Sequence, residues 1–290
     1  MKKDYCFAGV NLSVQIPDEY IYFKEGLLGE FSALPVPNVH NYVFEMLDTL
    51  EAPNGELIAA FPDYRVYQNS CGTVRYIGSV ENGWEFAYMR IEHNGKEHKV
   101  QLKTKEYKYG FGGKTVLNAL GAEHLVVEAG GFIMHSSFIE WEGKAILFTA
   151  PSGTGKSTQA ELWKNLRGAN IINGDRSVIR VLNDGIYAAG LPFSGSSVYC
   201  KNYTLPLAAI VYLEQAPMSV IREMHGALAF RHIWEGISVN IWDKDDVDAV
   251  MSMVQQAAMR VPVYHLACKP DESAIVVLEQ ELRKREAHDE

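Results

Sequence analysis

The residues best placed to do chemistry lie in AILFTAPSGTGKST, residues 145–158. Gly153 and Gly155 allow the backbone to curl until several N–H groups point at one spot, where a helix N-terminus adds partial positive charge. Lys156 can reach the β- and γ-phosphates of a nucleotide, and the Ser157 hydroxyl can ligate Mg²⁺. Ser152, Gly153, Thr154, Gly155, Lys156, Ser157 and Thr158 are therefore the expected phosphate-binding residues. The strict phosphate-loop pattern has Gly where this chain has Ala150, a small residue, and its other fixed positions are matched. The stretch predicts a nucleoside triphosphate ligand, with ATP and Mg²⁺ as the expected pair.

A second candidate lies downstream in GANIINGDRSVIR. Ile171 and Ile172 read as a short strand whose carboxyl end presents Asp175, and ligands of open α/β sheets bind outside such ends. An Asp there holds Mg²⁺, directly or through water, or accepts a proton from an attacking hydroxyl. The competing reading is a turn residue after Asn173-Gly174. Glu214, at the end of LAAIVYLEQ (207–215), reads either as an acidic strand end beside the loop or as a plain edge residue. The polar loop LPFSGSSVYCKN (191–202) either closes over phosphate or substrate, or is an ordinary connection. Lys201, Arg222, His225 and Arg231 are the remaining candidates for a phosphate clamp.

The elements that must position these groups follow from periodicity. Ala145–Thr149 is a buried strand, and QAELWKNL after Lys156-Ser157-Thr158 is helix-forming, which gives the strand–loop–helix order such a loop needs. FIMHSSFIEWEGKAILFTA reads as two strands about a turn at Glu142-Gly143-Lys144, with His135 in the first. Residues 115–129 have the spacing of one helix, stopped by Gly130-Gly131. SVIRVL and IYAAG predict a hairpin about Asn183-Asp184-Gly185. Residues 225–236 and 245–260 predict helices, 261–267 a strand, and Pro270-Asp271-Glu272 the acidic start of a last helix.

Residues 1–110 read as a β-rich module. Asn82-Gly83 and Asn94-Gly95 are hairpin signals separating TVRYIGSV, WEFAYMRIEH and KEHKVQLK. In the middle run Trp84, Phe86 and Tyr88 alternate, predicting one apolar face. Tyr5 to Ile16 reads as a strand ending at Pro17, and LPVPN (34–38) as an irregular connection. His93 and His98 flank a turn and are expected as exposed hairpin residues rather than a metal pair. The module is expected to recognise a protein or peptide substrate or to mediate oligomerisation, and YKYGFGGK (107–114) to link it to residues 111–290.

Bulk properties narrow the classes. A chain of 290 residues with 47 % apolar residues can bury a full core. The net charge of −9, with no Lys/Arg cluster, argues against a nucleic-acid partner. No stretch approaches 18 apolar residues and no signal-peptide core follows Lys2-Lys3, so no membrane partner is expected. Cys6, Cys71, Cys200 and Cys268 are far apart and are expected as reduced thiols of a cytoplasmic protein.

MHSSFIEWEGKAILFTAPSGTGKST followed by INGDRSVIR resembles the catalytic core of HPr kinase/phosphorylase and the nucleotide-binding region of ATP-dependent phosphoenolpyruvate carboxykinases. The resemblance covers roughly residues 113–215. It implies an α/β fold with mixed sheets around the phosphate loop, here preceded by a β-rich domain. It also implies His135 beside the γ-phosphate or metal, Ser157 and Asp175 as metal ligands, and Asp175, Lys156 and His135 as catalytic groups. Asp175 matches the second of a paired Asp-Asp in that family, and Gly174 stands at the first. No oxaloacetate site can be mapped, so decarboxylation is not expected.

The expected activity is transfer of the γ-phosphate of ATP to a hydroxyl, with a serine of a peptide or protein, or free serine, as acceptor. A possible assembly into homo-oligomers is part of the same expectation. Two alternatives stand beside it. One is a non-catalytic nucleotide-binding module of a peptide-modification system, favoured by the missing carboxylate at 174. The other is a small-molecule kinase of another phosphate-loop lineage.

Overall fold

The computed structural model describes residues 1–18, 26–37, 39–78, 83–105 and 114–289. Contacts divide the chain into Met1–Leu125 and Val126–Glu290. The expected hairpin residue Asn82, Asn38 of LPVPN and all of YKYGFGGK except Lys114 lie outside the described residues.

The first unit is an eight-stranded sheet. Its strands are β1 (Lys2–Phe7), β2 (Val10–Gln15), β3 (His40–Leu47), β4 (Glu56–Ala60), β5 (Tyr64–Gln68), β6 (Thr73–Gly78), β7 (Ala87–Asn94) and β8 (Glu97–Lys103). They run in the order β1-β2-β3-β8-β7-β6-β5-β4. Tyr5 to Ile16 is not one strand but a hairpin, because Ala8 and Gly9 take φ of 48° and 82°, the left-handed pair that reverses a chain in two residues. The apolar face of the middle run also differs from expectation. Trp84–Phe86 forms a 3₁₀ turn after Gly83, Phe86 is 62 % exposed, and the strand begins only at Ala87. Its buried face is consequently Ala87, Met89 and Ile91, of opposite parity.

The expected helix over 115–129 is two helices, α1 (Lys114–Leu120) and α2 (Ala122–Glu128). Gly121, with φ of +66°, breaks them by leaving the helical region. Arg75 Nη1 donates to the Asn118 carbonyl at the end of α1 (3.1 Å).

The second unit contains β9 (Gly131–Trp141), β10 (Lys144–Thr149), α3 (Lys156–Arg167), β11 (Asn170–Asn173), β12 (Arg176–Val181), β13 (Ile186–Ala189) and β14 (Thr204–Gln215). These are followed by β15 (Val220–Met224), α4 (Gly226–Trp234), β16 (Ile237–Ser238), α5 (Lys244–Arg260), β17 (Val263–Cys268) and α6 (Glu272–Asp289). The sheet order is β10-β9-β12-β13-β14-β17-β15, and β10 pairs in parallel with β14 as well, so five strands close into a ring. This is a mixed α/β fold, with a β-rich unit ahead of it.

Helices cover both faces of that sheet. On one face Val250, Val254 and Ala257 of α5 and Ile233 of α4 meet Phe132, Leu147 and Ile210. On the other, Trp163 of α3 and Ile275 and Leu278 of α6 meet Phe148, Val211 and Leu266. Trp163 is fully buried, so truncating it to Ala would cost about 3–5 kcal/mol. That packing fixes α3, and with it the loop that feeds its first turn.

Candidate active site

Strand β9 organises the site because its neighbours change along its length. Along one edge it pairs with β12 at residues 131–135 and with β11 at 138–140; Gly174 and Asp175 span the break between them. The backbone N–H of Ser136 donates to the Asp175 carbonyl (2.9 Å), and the Ser137 hydroxyl to the Gly174 carbonyl (3.1 Å). Along the other edge β10 ends at Thr149, opposite Ser136, and the Thr149 hydroxyl donates to the His135 carbonyl (3.0 Å). The end of the loop-bearing strand, His135 and Asp175 are thereby tied to neighbouring positions of one strand.

The loop reverses through Gly153 (φ +81°) and Gly155 (φ +121°), backbone conformations that side chains oppose. Ala150 is not among the residues with positive φ, so the methyl in place of the pattern's glycine is accommodated. Lys156, the first residue of α3, is only 7 % exposed, and its Nζ donates to the carbonyls of Ala150 (2.9 Å) and Pro151 (3.3 Å). Burial pushes its ammonium below the ordinary lysine range, with the Asp175 charge opposing that shift. A buried cation held only by carbonyls is a natural counter-charge for a phosphate, and Ser157 lies exposed beside it. These residues fit a nucleoside triphosphate, with Ser157 and Asp175 as the oxygen donors suited to Mg²⁺.

His135 Nε2 lies 3.1 Å from Asp175 Oδ1, and Arg176 Nε lies 3.4 Å from Oδ2. The His135 hydrogen bond, followed by the charges of His135 and Arg176, holds the Asp175 carboxyl below its usual range. With Asp175 ionised, Nε2 is the ring nitrogen that carries the proton and donates. Arg176 is anchored in turn: its Nη1 donates to the Ser238 hydroxyl (2.9 Å) and its guanidinium lies 5.3 Å from the Phe193 ring centre.

His135, Ser152, Gly153, Gly155, Lys156, Ser157, Thr158 and Asp175 line one cleft of about 560 Å³. Thr154 lines a neighbouring cleft instead. The 191–202 loop contributes Ser194, Ser196, Ser197, Val198 and Tyr199 to the first cleft. Ser197 explains why residue 174 has no side chain: a Cβ there would lie 2.1 Å from Ser197 Oγ. Lys201, Arg222, His225, Arg231 and Glu214 line neither cleft. Lys201 bonds Asn170, Arg231 pairs with Glu235 (2.8 Å), and Glu214 pairs with His265 (2.8 Å). The role of Arg176 had no signal in spacing, since only the pairing of β12 with β9 brings it and His135 together.

In the first unit, His93 and His98 are not exposed hairpin residues. They face each other across β7 and β8, with their Nδ1 atoms 3.0 Å apart, and His98 Nε2 is 3.0 Å from His40 Nδ1. His98 is 4 % exposed, because its position in the strand alternation faces the core rather than solvent.

A family model described as SynChlorMet cassette protein ScmC matches residues 122–274, more than half of the chain. The chain belongs to the ScmC family. The ScmC match runs from the start of α2 into the first turn of α6, so it contains β9, the loop between β10 and α3, Asp175 and the serine-bearing loop. No curated protein matches the chain. Among solved structures, "Structure of the Hpr(Ser) kinase/phosphatase from Coxiella burnetii" aligns at 11 % identity and a TM-score of 0.35, covering 54 % of this chain and 94 % of that one. Among the described residues, no helix is long and apolar enough to cross a membrane.

Proposed function

We propose that this ScmC-family chain is an ATP-dependent phosphotransferase that moves the γ-phosphate to a hydroxyl, such as a serine side chain of a peptide or protein, or free serine. The observation that carries the reading is the convergence of Lys156, Ser157 and the His135–Asp175 pair on one cleft. Phosphoryl transfer asks little covalent chemistry of a protein, so positioning and charge do most of the work. Lys156 and the loop amides hold the phosphates, and Ser157 with Asp175 would hold Mg²⁺. Bound Mg²⁺ supplies charge neutralisation on the phosphate oxygens. In the transfer the acceptor oxygen bonds the γ-phosphorus while the bond from that phosphorus to the β–γ bridging oxygen breaks, and ADP leaves. Asp175, kept ionised by His135 and Arg176, orients the acceptor hydroxyl and takes its proton as the new bond forms. Being held below its usual range makes it a weak base, which suits a loose transition state in which the proton leaves late. Incubation with labelled ATP, Mg²⁺ and serine-containing candidate peptides tests this, label on a serine being the expected result.

A second reading has its own support. Gly174 leaves one carboxylate where two would share metal and base duties, and the family model is described as a cassette protein. On that reading the chain binds ATP as a structural or regulatory ligand within a peptide-modification system. Nucleotide binding without label transfer to any candidate acceptor favours it.

A further inference from the structure

The phosphate loop separates two clefts rather than bordering one. The second, of about 530 Å³, shares Gly153, Gly155 and Thr158 with the first and lies on the opposite side of the loop. Its far wall is formed by the ends of β14 and β17 with the turns that follow them, and contributes Leu213, Ala216, Pro217, Cys268 and Pro270. The two clefts are chemically unlike. His135, Asp175 and Lys156 open only on the first, whereas the second is walled by Leu213, Ala216, Pro217, Cys268 and Pro270, with the amides of Gln159 and Gln215 and the ammonium of Lys269 as its larger polar groups.

We propose that the second cleft holds the nucleoside half of the nucleotide, leaving the first for the reacting phosphate and the acceptor. The inference rests on the phosphotransferase reading and assigns the direction in which the ligand lies across the loop. A nucleoside triphosphate gripped at its phosphates must extend to one side, and the groups suited to transfer occupy the other. Proline and alkyl walls stack against the face of a base, and sites for such ligands pair apolar surfaces with a few fixed polar groups. Gln159 is such a group. It is 3 % exposed in the cleft wall, its Nε2 donates to Cys268 Sγ (3.3 Å), and its Oε1 is buried without a partner. A buried amide oxygen left unpaired is costly, and the exocyclic amino group of a base is the donor it lacks. Gln215 braces the boundary between the clefts, its Nε2 donating to the Thr154 carbonyl (3.2 Å).

The test compares binding of Mg²⁺-ATP and of inorganic tripolyphosphate by calorimetry, using the full chain. Wild type is expected to bind ATP more tightly than tripolyphosphate. Ala216→Trp, which fills the second cleft, should weaken ATP by about tenfold or more while tripolyphosphate binding holds. Pro217→Trp, at an exposed position on the same wall, gives the same readout should Ala216→Trp fail to fold. Met259→Trp, at an exposed position outside both clefts, should leave ATP affinity unchanged. An equal selective loss of ATP binding in Met259→Trp overturns the assignment, as does ATP binding unaffected by filling the second cleft. Equal affinity of wild type for ATP and tripolyphosphate also overturns it while leaving the loop as a phosphate site. Binding of neither ligand would remove the phosphotransferase reading itself.

Discussion

Ser197 stands against Gly174 so closely that a Cβ on residue 174 would lie 2.1 Å from its hydroxyl oxygen and 2.4 Å from its Cβ. Gly195 of the same loop is also close against Asp175, where a Cβ would meet Cγ at 2.7 Å. The Asp175 carboxylate is thus coupled to the position of the 194–198 loop.

Gly174→Asp should therefore displace the loop rather than complete a carboxylate pair. The expected cost is about 1–3 kcal/mol of stability, read by thermal or denaturant melting. Adding Ser197→Gly should restore much of it. A Gly174→Asp chain as stable as wild type would show that the loop is not braced on residue 174.

Lys156→Ala and Asp175→Asn should separate binding from transfer. The first removes the charge held inside the loop and should reduce ATP affinity by about a hundredfold, with little loss of stability because a desolvated cation is removed. The second keeps the shape of the side chain and should leave ATP binding near wild type while label transfer is lost. Full transfer by Asp175→Asn would refute its role as the base.

The histidine chain in the first unit predicts an acid-sensitive fold. Burial, with neighbouring histidines adding to it, holds His98 down to about 3, and burial lowers His93 as well. An unfolded histidine titrates near ~6.5, so between those values the unfolded chain binds more protons than the folded one. Stability should be full above about pH 6.5 and fall by up to about 1.4 kcal/mol per pH unit per group as pH drops toward 3. Denaturant melts from pH 4 to 8 measure this, and His98→Gln should flatten the slope. A slope unchanged in that variant would contradict the assignment.

Trp163→Ala tests how the loop is held. The residue is fully buried between α3 and the sheet and sits in the second turn of the helix that begins with Lys156. Beyond the global loss of about 3–5 kcal/mol, ATP affinity should fall although the indole lines neither cleft. Hydrogen exchange on residues 150–160 reports the loosening, and unchanged protection there would show that the loop is held by its own turns.

What the sequence made legible was whatever is local. The glycines of the loop, the strand before it and the helix after it are neighbours in the chain, and their conformations follow from residue type. Asp175 could be placed near the loop because strand ends gather there. What it could not show depended on partners far away in the chain. The pairing of Arg176 opposite His135 needs the register of β12 on β9, and the fit of Ser197 against Gly174 needs a loop twenty residues downstream. The face of β7 was misjudged for a local reason, since a three-residue 3₁₀ turn moved the start of the alternation. Gly121 within an otherwise helical spacing is the signal that divides α1 from α2.

The ring formed by β10, β9, β12, β13 and β14 has a mechanical meaning for the site. Strands that close on one another have no free edge to peel. β9, which carries His135, and β10, which launches the phosphate loop, cannot part without breaking pairing on both flanks. On the proposed phosphotransferase reading, opening for an acceptor falls to what hangs from the ring, above all the serine-bearing segment between β13 and β14 that leans on Gly174 and Asp175. On that reading the moving part of the molecule is a strap, and its fixed dimensions lie in a hoop.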